Sequence, residues 1–256
     1  MPQSQRDVTL EATANGRRPE PFEPAQRVYA VGDVHGRLDL FERLIELIRV
    51  DSAARPAVST RLILLGDVID RGPQSAELVR RLIRYTRATD KIVVLKGNHE
   101  AMMVEALLGD RRALPAWLAH GGDATLLSWG TPPAVLQGRS LTAIRRLARQ
   151  VVSEDELAWL DNLPLAYRWG GYLFVHAGIR PGVALEDQAP EDLLWIGDEF
   201  LNSTAQHPAV IVHGHSIRHG SAEVLPNRIG IDTGAYSSGR LTCLGLEGSQ
   251  SWTLST

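Results

Sequence analysis

Short apolar runs recur along this chain, and several stop at a glycine followed by a cluster of polar residues. Arg27–Val31 (RVYAV), Arg61–Leu65 (RLILL) and Lys91–Leu95 (KIVVL) are rich in β-branched residues or leucine and read as buried strands. Between them the period changes. Leu40, Leu44, Leu47 and Ile48 fall on one helical face, and Asp39 and Glu42 are spaced as a capping box at its start. Ser75–Arg87 repeats the helical pattern, and a third helix follows the third strand and runs through Leu108. Strand, helix, strand, helix, strand predicts a layered α/β fold with parallel pairing.

Residues 109–163 change character. Short helical patterns replace the strands, Trp117, Trp129 and Trp159 all fall there, and Ser153 with Glu156 marks an N-cap. This stretch reads as a helical insertion on the α/β core. Leu165–Trp169 and Tyr172–Val175 flank Gly170-Gly171 as a hairpin. Ala209–Val212 reads as a further strand, and Ile229–Asp232, Arg240–Leu246 and Trp252–Leu254 as a closing antiparallel meander.

The 256 residues are 44% hydrophobic and 22% charged, which suits one domain over residues 26–256 with a sizeable core. Residues 1–25 are polar, hold Pro19, Pro21 and Pro24, and read as a flexible tail without the apolar segment of a secretory signal. No apolar run reaches the length of a membrane span. The formal charge is −3, so nothing calls for nucleic acid or an anionic membrane as partner. Cys243 is the only cysteine, which excludes an intramolecular disulfide and fits a reducing, cytoplasmic setting. None of these features speaks to the oligomeric state.

The polar blocks carry the chemistry. They are GDVHG (Gly32–Gly36), GDVIDRG (Gly66–Gly72), GNHE (Gly97–Glu100), HAG (His176–Gly178) and GHS (Gly214–Ser216), each after a predicted strand. Ligands in open α/β sheets bind beyond the carboxyl ends of strands, so the blocks can converge. Asp33 and His35 lie two apart and point to one side of an extended stretch. Asp67 has two carboxylate oxygens and can bridge two ions; Asn98 offers a carbonyl oxygen, and His176 and His215 offer imidazoles. This mixed oxygen and nitrogen set without thiolate suits two divalent ions, manganese first and iron or zinc as alternatives. Two such ions clamp a phosphate and activate a water to hydroxide for attack on phosphorus. His99 remains to protonate the leaving oxygen, Asp70 to orient His99, and Arg71 to hold phosphate oxygens. His215 is preferred to His213 as ligand in the HGH run. His120, His207 and His219 read as surface or structural, Asp232 as a turn residue near the site, and the Arg80/Arg81/Arg84/Arg87 and Arg145/Arg146/Arg149 groups as solvated helix faces.

These blocks resemble those of the phosphoprotein phosphatase family of metallophosphoesterases, whose pattern is GDxHG, GDxVDRG, GNHE and HAG or HGG; here Ile69 is the one conservative departure. Trp117–Gly130 (WLAHGGDATLLSWG), HAGIRPG and DLLWI further resemble a bacterial branch of serine/threonine phosphatases and diadenosine tetraphosphatases. The resemblance implies a four-layer β-sandwich flanked by helices. It implies that Asp33, His35 and Asp67 hold one metal and that Asp67, Asn98, His176 and His215 hold the other. It also implies His99 as acid, Asp70 as its orienter, and Arg71 and Asn98 at the phosphate. A second phosphate-binding arginine is expected after Leu-Trp-Ile, where this chain has Gly197; Arg180 and Arg218 are the candidates to replace it. The expected activity is hydrolysis of phosphoserine or phosphothreonine monoesters with broad specificity, on protein or small-molecule substrates, and GDVIDRG favours that side. The alternative is a hydrolase of diadenosine tetraphosphate, related nucleotides or phosphodiesters, toward which Gly197 points. A metal-binding regulator without turnover is the non-enzymatic reading.

Overall fold

The computed structural model describes residues 7–8, 26–138 and 140–256. The predicted tail therefore lies outside the described residues, except for the two-residue strand β1 (Asp7–Val8). Two sheets form the centre. The first has the order β1-β11-β10-β2-β3-β4, with β2 (Gln26–Val31), β3 (Ser59–Leu64), β4 (Ile92–Val94), β10 (Thr242–Glu247) and β11 (Gln250–Ser255). The second has the order β5-β6-β7-β9-β8, with β5 (Ala166–Trp169), β6 (Tyr172–Val175), β7 (Val210–His213), β8 (Glu223–Val224) and β9 (Arg228–Gly230).

Alternation along the strands explains the layers. In β2, Val28 and Ala30 face one way and pack with Ile63, Phe174, Val212 and Leu244, filling the space between the sheets. Tyr29 and Val31 face the other way, with Leu64 and Cys243, into a core shared with helices α1 (Leu38–Ala53), α2 (Ser75–Ala88) and α3 (Asn98–Leu107). On the outer face of the second sheet, Leu173, Val175 and Ile211 pack under later helices through Leu193, Ile196 and Phe200. Helices, sheet, sheet, helices make four layers, as the resemblance implied.

Between α3 and β5 the chain is helical: a turn at Arg111–Ala113, α4 (Leu114–Trp117), a π-helical turn (Leu118–Gly122), α5 (Asp123–Ser128), α6 (Pro133–Gln137), α7 (Leu141–Val151) and α8 (Glu154–Asp161). The Ser153–Glu156 capping box at α8 is present in both directions. After β6 come α9 (Pro190–Trp195) and α10 (Asp198–Leu201), and α11 (Ala235–Ser238) follows β9.

Two expectations change. Arg37 is the N-cap of α1, and Asp39 is gripped by the Arg37 guanidinium at 2.7–2.8 Å rather than forming a capping box with Glu42. Local ion pairing wins because the Arg37 side chain reaches Asp39 directly. The closing strands do not form one meander: β9 pairs with β7 in parallel and β8 antiparallel in the second sheet, while β10 and β11 complete the first. Apolar runs alone do not reveal which sheet a strand joins.

Candidate dinuclear metal centre

Strands β2, β3 and β4 are parallel, as are β6, β7 and β9. Their carboxyl ends therefore open along one edge, and β2, β3, β4, β6 and β7 each emit a polar block there. Close approach needs glycine at two of these ends. A Cβ on Gly66, whose φ is +101°, would meet the Gly97 backbone nitrogen at 2.6 Å, and one on Gly97 would meet Asp67 Oδ1 at 2.1 Å. Among the described residues, the non-glycine positions with positive φ are His35, Asp67, Asp70, Arg71 and His215. All of them belong to these blocks, in a conformation that L-residues rarely adopt.

Two clusters of donor atoms result, His35–Asp67–His99 and Asp67–His176–His215. Asp67 is common to both and its two oxygens divide between them. Oδ2 faces His35 Nε2 at 3.6 Å and His99 Nε2 at 3.8 Å, while Oδ1 faces His176 Nε2 at 3.5 Å. Asn98 Oδ1 joins the second cluster, 2.8 Å from His176 Nε2 and 3.2 Å from His215 Nδ1. The far nitrogens of two rings are tied to the backbone, His35 Nδ1 to Ile69 O at 2.8 Å and His176 Nδ1 to Leu65 O at 2.9 Å, which leaves each Nε2 for an ion. Asp33 stands outside the first cluster; its carboxylate accepts from the His215 backbone N–H at 3.0 Å. His213 is buried against Phe200, with ring centroids 5.1 Å apart, and joins neither cluster.

The electrostatics fit a pair of cations. Asp33, Asp67, Glu100 and Asp232 are all buried here. Burial pushes Asp33 up, reinforced by Asp232 and Asp67; burial and the Asp67 charge raise Glu100 to about 7, and burial raises Asp232 to about 6. Asp67 goes the other way, because His176, His99 and His35 outweigh its burial and hold it below the usual carboxylate range. So many buried carboxylates lack positive charge, which divalent ions would supply. Burial also lowers His35 to about 3 and His215 to about 4, and lowers His176, so these rings are neutral as ligands must be.

His99 differs: burial pulls it down, but Asp67 and Asp70 raise it above its ordinary value. Its Nδ1 meets Asp70 Oδ2 at 2.7 Å. Asp70 is itself fixed by Thr125 Oγ1 at 2.6 Å and by Trp117 Nε1 at 2.9 Å, and its backbone N–H donates to Thr125 Oγ1 at 2.8 Å. Arg71 donates from Nη1 to His35 Nε2 and from Nη2 to His99 Nε2, both at 3.1 Å, and lies over the Tyr236 ring at 4.4 Å. This arrangement keeps the guanidinium on two rings of the first cluster and must loosen when His99 carries a proton on Nε2.

Glu100 is a part that sequence reasoning passed over. Its carboxylate accepts the backbone N–H groups of Gly97, Asp67 and Val68 at 2.8–2.9 Å and so joins two of the blocks. The signal was present in the spacing, since Glu100 stands three residues after the N-cap Gly97. His120, read as surface or structural, sits on the π-helical turn with its ring 6.4 Å from that of His99. Two exposed aromatics also rim the site: Tyr236, 36% exposed and edge-on to His35 at 5.3 Å, and Trp195, 42% exposed and edge-on to His215 at 6.3 Å.

Residues 26–237 match the family described as calcineurin-like phosphoesterase. The chain belongs to that family. Its two donor clusters have the geometry of a dinuclear metal site. Among its relatives is the symmetrical bis(5'-nucleosyl)-tetraphosphatase of Methylococcus capsulatus, 33% identical over 154 residues, 60% of this chain and 44% of that protein. The chain thus matches less than half the length of that relative. Serine/threonine-protein phosphatase 2 of Escherichia coli is 29% identical over 226 residues, 85% of this chain and 91% of the relative. A solved structure proposed to be a diadenosine tetraphosphatase shares the fold with TM-score 0.61 at 21% identity, over 93% of this chain and 98% of that one.

Among the described residues, no helix of this calcineurin-like phosphoesterase is long and apolar enough to cross a membrane. Gly197 begins α10 just beyond Trp195, and a Cβ there would meet nothing within 4 Å. Neither candidate replacement arginine is free. Arg180 is held by Asp192 at 2.8 Å and Glu199 at 2.7 Å, and Arg218 pairs with Glu223 at 3.3 Å.

Proposed function

We propose that this chain hydrolyses dinucleoside polyphosphates, with diadenosine tetraphosphate as the type substrate. The observation that carries the reading is the pair of exposed rings, Tyr236 and Trp195, beside His35 of one cluster and His215 of the other. A polyphosphate lying across both clusters would have a base at each end, and each exposed ring offers a stacking face. The side-chain-free Gly197 leaves room beside Trp195 for the second nucleoside. The similarity to symmetrical tetraphosphatases supports the same class.

In this reading Asp33 turns from the His215 backbone to join His35 and Asp67 on one divalent ion, and Asp67, Asn98, His176 and His215 hold the other, with manganese preferred. The ions supply Lewis-acid polarisation of the phosphate and a more acidic water. The chain's own groups do the rest. Arg71 leaves His35 and His99 to take up phosphate oxygens, His99 gives its Nε2 proton to the leaving phosphate oxygen, and Asp70 keeps Nδ1 in place. Asn98, beside both His176 and His215, also faces the phosphate.

A second reading, a phosphoserine or phosphothreonine phosphatase, is favoured by the similarity to the Escherichia coli phosphatase along nearly the whole of both chains. Initial rates with manganese separate the two. Diadenosine tetraphosphate should be cleaved with kcat/KM at least tenfold above a phosphoserine peptide; the reverse order would replace the first reading by the second.

A further inference from the structure

The exposed arginines of α7 border a concave surface. A cavity of about 730 Å3 opens between Arg111–Ala113, the start of α4 and one side of α7, and it shares no lining residue with the metal centre. Leu141, Arg145 and Arg149 stand four apart on α7, with Arg146 in the adjacent row. Residues at this spacing share a side of the helix, so they face the cavity together. Leu114 and Pro115 line the opposite wall, and Leu141 is 43% exposed within it.

Two of the arginines are already occupied. Arg145 donates to the carbonyls of Ala106, Leu107 and Gly109 at 2.9–3.1 Å and so caps the carboxyl end of α3. Arg112 pairs with Asp110 at 2.6 Å. Arg111, Arg146 and Arg149 are exposed, and no ion pair or side-chain hydrogen bond holds them among the described residues. The exposed guanidinium groups of Arg146 and Arg149, with Arg111 shared electrostatically with Asp110, surround an aliphatic wall and make a local positive basin in a chain of net charge −3.

The lining has no aromatic ring on which a base could stack, whereas leucine and proline suit aliphatic side chains. We propose that this cavity docks a segment of a partner protein in which carboxylate and aliphatic side chains alternate. The carboxylates would pair with Arg111, Arg146 and Arg149, and the aliphatic groups would pack on Leu114, Pro115 and Leu141. This surface does not depend on which phosphate ester the metal centre cleaves.

The test is fluorescence anisotropy of the full chain with a labelled peptide of repeated Glu-Leu-Asp units. A peptide of glutamate alone is the comparison, and ATP and pyrophosphate are competitors. R146E/R149E should weaken peptide binding on the order of tenfold or more, since two charge-assisted contacts are reversed. L141S should weaken it in the same direction, and nitrophenyl phosphate turnover should stay within about twofold in each variant. R146A/R149A serves as the milder pair if the charge reversal lowers the melting temperature. Equal binding by wild type and both arginine variants would overturn the proposal. So would equal binding of the glutamate-only peptide, or arginine-dependent binding of ATP or pyrophosphate without peptide binding, which would make the cavity a phosphate site.

Discussion

The Trp117 indole donates its N–H to both carboxylate oxygens of Asp70, at 3.1 and 2.9 Å, across 47 residues of sequence. A residue of the helical segment thereby sets the aim of the group that holds His99.

Trp117 is a positioning residue, so its loss should appear in turnover before binding. Trp117→Phe keeps an aromatic ring, though a smaller one, and removes the donor, and hydrogen bonds to charged groups are worth about 1.5–3 kcal/mol. kcat should fall on the order of tenfold or more with KM little changed. Steady-state kinetics on a variant that still melts cooperatively checks this, and an effect on KM alone would refute it.

Asp67 serves both donor clusters, whereas His215 serves one. Asp67→Asn should therefore lower bound manganese more than His215→Ala does. Elemental analysis of dialysed protein reads the difference, and equal losses would contradict the shared role. Chelation should abolish hydrolysis and added manganese restore it.

Tyr236 and Trp195 should matter in proportion to the bases on the substrate. Base–aromatic stacking is worth about 1–3 kcal/mol. Tyr236→Ala or Trp195→Ala should raise KM for diadenosine tetraphosphate at least fivefold while moving KM for nitrophenyl phosphate less. Parallel shifts on both substrates would show that the rings act on the metal ligands they touch, not on the bases.

Gly197 has open space around it, so Gly197→Arg should be accepted by the fold. A guanidinium there should favour dianionic monoesters over monoanionic diesters, raising the ratio of nitrophenyl monoester to bis-nitrophenyl diester rates on the order of tenfold. An unchanged ratio would mean that the arginine does not reach the phosphate.

Glu156 carries an acid-stability prediction remote from the metals. Burial raises its carboxyl, but hydrogen bonds from the Ser153 backbone, Arg80, Trp129 and the Ser153 hydroxyl outweigh that and leave it below its ordinary value of 4.5. A carboxylate depressed in the folded state contributes stability above the unfolded value, and that stability is lost as pH falls through the folded value. The melting temperature should drop below about pH 4.5. Glu156→Gln should melt lower at pH 7 with a flatter acid limb, and an unchanged acid limb would count against the coupling.

Much of the centre was legible because its ligands follow strand ends. An apolar run, a glycine and a polar residue tell that a side chain emerges at a sheet edge, so Asp67, Asn98, His176 and His215 could be placed together before any coordinates. Asp33 was placed with His35 on the same logic, and the backbone N–H of His215 that its carboxylate accepts, 182 residues away, was not foreseeable from the local sequence. Trp117, Thr125, Tyr236 and Trp195 were not legible as site residues, because nothing local marks them and each arrives through packing of a distant element. The assignment of β9 to the second sheet was hidden for the same reason: a three-residue strand with one large apolar side chain, Ile229, fits either sheet until its neighbours are known.

The five left-handed residues of the blocks, His35, Asp67, Asp70, Arg71 and His215, put the fold's local discomfort where its chemistry is. Each such conformation costs on the order of 1–3 kcal/mol. Glycine at any of them would relax the backbone while deleting a working side chain. A search for hardier versions of this protein, blind to catalysis, would be drawn toward these positions and would return sturdy proteins that no longer turn over.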